Sequence, residues 1–74
     1  MNLIQKTGLF LKMRRHELGL SQEDVALRSH LDRTYLSGIE NGKKNVSLAV
    51  FVRLSDALET EPWKILKDAL EWKS

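Results

Sequence analysis

The residues with chemistry to offer are concentrated in LDRTYLSGIENGKKN, residues 31–45, the middle of which reads as a short helix where Arg33, Thr34, Tyr35 and Ser37 stand beside only two large aliphatics, Leu36 and Ile39. A planar guanidinium such as that of Arg33 can bond two acceptors at once, as guanine presents O6 and N7 in a DNA major groove. Thr34 offers a hydroxyl and a methyl suited to a base edge, a thymine methyl or a phosphate. Tyr35 carries a phenol that can reach a base or the backbone, and Ser37 is small enough to permit close approach. Plainer alternatives exist: Arg33 as a surface arginine paired to Asp32 or Glu40, and Tyr35 as half-buried packing. Beyond Gly42, the run Lys43, Lys44, Asn45 suits a sugar-phosphate backbone, where contacts fix register and supply salt-dependent affinity without reading sequence. Gln22 lies one residue past a helix cap, where free backbone N–H groups and the helix dipole favour a phosphate oxygen. All of this is recognition chemistry. Catalysis is poorly served: His16 and His30 are the only histidines, Ser29, His30 and Asp32 are too close in sequence to converge as a triad, and no metal-ligand or phosphate-cradling motif occurs. The expectation is a binding protein, not an enzyme, with no cofactor, metal or small-molecule substrate.

Something must hold those residues in place, and the chain offers helices only. The first is expected over about residues 5–18, with Ile4, Gly8, Leu11, Arg15 and Leu18 at spacings of three and four and Gly19 as a left-handed stop. Ser21, with Asp24 three residues on, forms a capping box for a second helix ending near Ser29, with Val25, Ala26 and Leu27 as its apolar content. Asp32 caps a third, closed by Gly42. Ser47 caps a fourth, with Leu48, Phe51, Val52, Leu54 and Leu58 as its stripe. Pro62 opens a fifth, which carries Trp63, Ile65, Leu66, Ala69, Leu70 and Trp72. Between the second and third helices only His30 to Asp32 intervene, and so short a connection forces the axes to cross steeply, as in a helix-turn-helix. Leu36 and Ile39 then form the face that is held, and Arg33, Thr34, Tyr35 and Ser37 the face presented to a groove. Gly38 inside that helix implies close packing against the second helix or against DNA. The predicted fold is all-α: a compact five-helix bundle in one domain, residues 1–74, with the helix-turn-helix over about 21–42 and a C-terminal helix over about 62–72.

Bulk properties agree with that size of fold. The chain has 74 residues, no cysteine, 42% hydrophobic and 30% charged residues, which suits one small soluble domain without disulfide staples. No run approaches a membrane span, and the N-terminal charges fall on the wrong side for a secretory signal, so a cytoplasmic location away from membranes is expected. The formal net charge is only +2, but basic residues outnumber acidic ones in residues 1–45 and are outnumbered in residues 46–74, which places the surplus with the stretch at 31–45.

The string GLSQEDVALRSHLDRTYLSGIENGKKNVSL, residues 19–48, resembles the phage-repressor and Cro type of helix-turn-helix domain. Within that family it is most similar to the controller proteins of restriction-modification systems, through LDRTYLSGIE and the loop KKN. The specific signal is Gly-Leu-Ser-Gln-Glu followed downstream by Ile-Glu-Asn-Gly; the fifth helix is similar only in position and apolar character. The resemblance implies a lambda-repressor-like fold in a bacterial or phage-encoded, nucleoid-associated regulator. It implies that Arg33, Thr34, Tyr35 and Ser37 read bases, and that Asn41, Lys44 and Asn45 contact phosphates, with Lys43 the most readily surrendered to solvent. It also implies an Arg15–Glu40 ion pair between helices, and double-stranded DNA, a second copy of the chain and RNA polymerase as partners. Two departures stand out: His30 replaces the usual turn glycine, at a position expected at positive φ, and Glu59 and Thr60 replace a glycine and a valine.

One short recognition helix reads only a few base pairs, so specificity calls for two copies on half-sites about 34 Å apart. The fifth helix has more large apolar residues than one small core needs. Ile65, Leu66, Leu70 and Trp72, with parts of the fourth helix, are therefore candidates for a two-fold interface, and Trp63 is the first choice for the core. The expected function is a homodimeric, sequence-specific transcriptional regulator on a pseudo-palindromic operator, controlling its own gene and a neighbouring restriction gene. The alternatives are a phage or prophage repressor of the same fold and an antitoxin-like interaction module that does not bind DNA.

Overall fold

Helix starts in this chain are set largely by single side chains. The computed structural model describes residues 1–73 and contains α1 (Leu3–Glu17), α2 (Gln22–Ser29), α3 (Arg33–Glu40), α4 (Leu48–Ala57) and α5 (Pro62–Glu71), with no strand among the described residues. Asn2, Ser21, Asp32 and Ser47 each accept a hydrogen bond from a backbone N–H in the following turn, which satisfies one of the donors that a helix start leaves unpaired. Asn2 and Gln5 exchange bonds reciprocally, and this cap starts α1 at Leu3, ahead of the expected boundary. On α2 the same exchange joins Ser21 and Asp24, at 2.9 and 3.0 Å. The Asp24 carboxyl is held below its ordinary value, first by the Ser21 backbone N–H and then by the Ser21 hydroxyl. α5 has no side-chain cap and begins instead on Pro62, whose fixed φ suits that position.

The core gathers Leu11, Val25, Ala26, Leu36, Ile39, Phe51, Leu54, Leu58 and Ile65 from all five helices. Each fully buried large aliphatic contributes on the order of 1.5–3 kcal/mol relative to exposure. α1 crosses α3 at Gly8, where a Cβ would overlap the Ile39 carbonyl oxygen and lie 3.1 Å from that of Glu40. Only glycine permits that approach.

Helical phase departs from the sequence expectation at several apolar positions. Leu27 and Leu48 are 80% exposed, so the second helix is held through Val25 and Ala26, and the fourth through Phe51, Leu54 and Leu58. Trp63, expected in the core, is 62% exposed, whereas Ile65 is 4% exposed. The reason is geometric. α5 buries Ile65 and Ala69, one turn apart, and Trp63 projects from the other side of the same helix. Trp72 closes the bundle by packing edge-on against Phe10, with ring centroids 6.1 Å apart.

Helix ends are finished by cations from other helices. Arg53 of α4 donates to the Ser29 and His30 carbonyls at the end of α2, at 2.7 to 3.1 Å. Arg28 of α2 donates to Ala57 O at the end of α4, and Arg14 of α1 to Leu58 O and Glu59 O. Lys6 Nζ does the same for Trp72 O after α5. Side chains thus satisfy carbonyls that a terminating helix leaves without intrahelical partners. His30 and Glu59, the two departures from glycine, both adopt positive φ, 57° and 55°.

Candidate nucleic-acid interface

The turn between α2 and α3 is closed by backbone bonds from Leu31 N to Ala26 O and from His30 N to Leu27 O, with His30 left-handed between them. Asp32 then starts α3 by accepting from Thr34 N at 3.1 Å. Leu36 and Ile39, each 1% exposed, fix the inner side of the helix. On its outer side Thr34, Ser37 and Asn41 follow one another at successive turns, flanked by Arg33 on one edge and Tyr35 on the other. Arg33, Thr34 and Asn41 are exposed and Ser37 is half-buried. Tyr35 is half-buried and packs against the core cluster. Arg33 makes no bond to Asp32 or Glu40.

Gly38 shares this outer side, and its neighbour is neither α2 nor an open surface. The loop after α3 folds back so that Lys43 N and Lys44 N both donate to Gly38 O, at 2.9 and 3.2 Å. The Lys44 stem then lies across Gly38, with its Cγ 2.6 Å from where a Cβ would stand. Lys43, Lys44 and Asn45 are all exposed beside the polar face.

Charge on this side is more selective than the N-terminal surplus implied. Lys6, Arg14, Arg15 and Arg28 are tied to carbonyls and carboxylates within the fold. The cations displayed around α3 are Arg33, Lys43 and Lys44.

Behind the face lies a buried polar cluster. Arg15 Nε donates to Glu40 Oε2 at 2.7 Å and its Nη2 to Oε1 at 3.0 Å, with side chains 9% and 2% exposed. Arg15 Nη1 also donates to Leu20 O, so the guanidinium ties α1, α3 and the turn before α2 together. Removing one member of such a pair costs about 3–5 kcal/mol, because the other charge is left buried alone. Gln22 is half-buried: its Nε2 donates to Glu40 Oε1 at 3.0 Å, and its Oε1 accepts from Arg33 Nη1 at 3.4 Å.

A second surface, which the sequence spread over too many residues, is apolar. Leu3, Ile4, Val46, Leu48, Phe51 and Leu66, with Thr7 and Asn45, line a groove between α1, α4 and α5. Leu70 and Trp63 lie exposed on α5 beyond it. Of the interface candidates, Leu70 is 65% exposed and Leu66 faces this groove, but Ile65 belongs to the core and Trp72 is half-buried against Phe10. Ile65 is corrected accordingly: a side chain filling the monomer core has no surface left to offer a partner. Among the described residues there is no acidic, histidine or cysteine group placed to hold a metal, and no helix long and apolar enough to cross a membrane.

The profile of the helix-turn-helix family matches residues 11–62. Control protein C.MunI of Mycoplasma sp. is 51% identical over 47 residues, covering 64% of this chain and 64%, less than two thirds, of that protein. The solved structure of the restriction-modification controller protein C.AhdI from Aeromonas hydrophila superposes with a TM-score of 0.82 at 44% identity, over 84% of this chain and 94% of that one. The wild-type restriction-modification controller protein C.Esp1396I gives a TM-score of 0.85 at 33% identity, over 95% and 96% of the two chains. Matching structures also include C.Esp1396I variants in which an arginine, a threonine and a tyrosine, consecutive in its sequence, are each replaced.

Proposed function

This chain belongs to the helix-turn-helix family, and on that premise we propose that it is a homodimeric, sequence-specific regulator of transcription of the restriction-modification controller type, acting on a pseudo-palindromic operator in double-stranded DNA. The observation that carries this reading is the outer side of α3: a polar row fixed by a buried inner side and bordered by a basic loop folded back on the same helix. A protein partner would have no need of that loop. Arg33, Thr34 and Ser37 read base edges, with Tyr35 at the margin, half-buried against the core. Lys43, Lys44, Asn45 and Asn41 hold the backbone, while the Gln22 amide is engaged by Glu40 and Arg33. The consecutive Arg, Thr and Tyr substituted in C.Esp1396I occur in the order of residues 33–35 here, which supports the assignment.

Residues 1–74 are read as one domain, with Ser74 outside the described residues, because α5 joins the shared core through Ile65 and also buries Ala69. A second copy docks on the apolar surface of Leu3, Ile4, Leu48, Leu66 and Leu70, to which Trp63 is added from the exposed side of α5.

Gel shifts with DNA from upstream of the protein's own gene, at several salt concentrations, test the reading. Retention should weaken steeply as salt rises, and Arg33→Ala should lower affinity for the operator far more than for unrelated DNA. No shift at moderate salt, or an equal loss for every sequence, would leave an interaction module as the better reading. A methyltransferase and an endonuclease encoded alongside would support the controller subclass over a prophage repressor.

A further inference from the structure

We propose that buried Glu40 is a positioning residue for base reading: it fixes which way the Gln22 amide faces, and thereby sets an oxygen against the Arg33 guanidinium. The inference rests on the base-reading role proposed above for Arg33. An ionised carboxylate only accepts hydrogen bonds. Glu40 Oε2 takes Arg15 Nε, and Oε1 takes both Arg15 Nη2 and Gln22 Nε2, each at 3.0 Å. A Gln22 amide turned the other way would press its oxygen against a carboxylate oxygen, so the neighbour dictates its orientation. The Gln22 oxygen is left pointing outward, and Arg33 Nη1 donates to it at 3.4 Å. Donors and acceptors thus run in fixed order from Arg15 to Glu40 and from Arg33 through Gln22 to the same carboxylate. One end of this relay is 2% exposed and rigid, and the other is the exposed first residue of α3.

The consequence is preorganisation. An arginine free to sample its rotamers must be ordered when it meets a base, whereas one already leaning on Gln22 has lost part of that freedom before binding. Glu40 touches no DNA in this scheme; it acts through Gln22. A phosphate-contact role for Gln22 makes a different forecast, since a backbone contact carries no base information and its loss weakens all sequences alike.

Selection of bound sequences from a random double-stranded DNA library separates the two. The wild type, R33A, Q22M, E40Q and the double variant Q22M/R33A are compared by sequencing, and the position whose base preference vanishes in R33A is the one Arg33 reads. A bidentate arginine–guanine contact discriminates by roughly 5- to 150-fold. Q22M removes the relay while leaving the Arg15–Glu40 pair intact, and should cut the preference at that position by at least about 3-fold while preferences elsewhere persist. E40Q keeps the shape but can offer an N–H to Gln22, which lets that amide turn, and should act at the same position. E40Q also strips Arg15 of its charge partner, so Q22M is the decisive variant where E40Q folds poorly. In the R33A background, Q22M should change nothing further at that position. Full wild-type preference in Q22M, with binding to every sequence weakened equally, overturns the proposal. A motif untouched by R33A removes the Arg33 assignment instead, and no motif at all with wild type removes the proposed function and this inference with it.

Discussion

Gly8 and Gly38 both sit inside helices, and the same change to alanine should move stability in different ways. Glycine in a helix interior costs about 0.8–1 kcal/mol relative to alanine, so either substitution gains that much from backbone propensity alone. At Gly8 the new Cβ overlaps the Ile39 carbonyl oxygen and lies 3.1 Å from two further backbone atoms. None of these can rotate aside, so α1 and α3 must separate. Overpacking of this kind costs about 1–3 kcal/mol, and separation also stretches the Arg15–Glu40 bonds at 2.7 and 3.0 Å, part of a pair whose rupture costs about 3–5 kcal/mol. The net expectation for G8A is a loss of about 1–3 kcal/mol. For a domain of this size, that lowers Tm by roughly 4–8 °C per kcal/mol. At Gly38 the nearest atom is the Lys44 Cγ, which a turn about χ1 removes. G38A should therefore stay within about 1 kcal/mol of wild type while displacing the Lys44 stem, and so reduce the salt dependence of DNA binding by about one phosphate contact. Thermal and urea unfolding of both variants, with gel shifts of G38A, make the comparison. Equal stability of G8A and wild type would refute the close-approach argument, and a large loss in G38A would refute the flexible-neighbour one.

Lys44→Ala should weaken binding to all DNA sequences alike and lower the salt slope by about 0.9, in contrast to the sequence-dependent loss of Arg33→Ala. His30→Gly should raise stability by about 0.5–1 kcal/mol in urea unfolding, because φ of 57° strains a side chain and the three Arg53 bonds go to backbone carbonyls that remain. Leu70→Glu should give a folded monomer by sedimentation, since the residue is 65% exposed in the single chain; an intact dimer would place the interface elsewhere. For Asp24, whose folded pKa lies below its ordinary 3.8, the stabilising contribution is present above 3.8 and lost as pH falls through the lowered value. The stability gap between wild type and Asp24→Asn should therefore close on acidification below about pH 3.8, and a gap unchanged there would contradict the capping account.

Caps and short connections were the most legible part of the fold in the sequence. Ser21 with Asp24, Asp32, Ser47 and Pro62 mark helix starts by local chemistry alone, and the three residues between α2 and α3 leave one way for the helices to cross. Phase was less legible where apolar residues nearly encircle a helix. In α5 the pattern Trp63, Ile65, Leu66, Ala69, Leu70 fits more than one inward side, and contact with α1 decides that Ile65 and Ala69 face in. The cross-helix arginine caps carry no local signature at all: Arg14, Arg28 and Arg53 look like surface charges until the ends of distant helices come beside them. At the polar face, residue types and spacing indicated the outer side of α3. The return of the Lys44 stem over Gly38 and the link from Gln22 to Arg33 depend on tertiary placement and could not be read in advance.

The caps between α2 and α4 run both ways, since Arg53 finishes the end of α2 and Arg28 finishes the end of α4. Fraying of either helix end withdraws an arginine from the other, so neither terminus opens as an independent event. Amide protons after Ser29 and after Ala57, far apart along the chain, should therefore exchange with solvent through one shared opening, and a denaturant that releases one should release both.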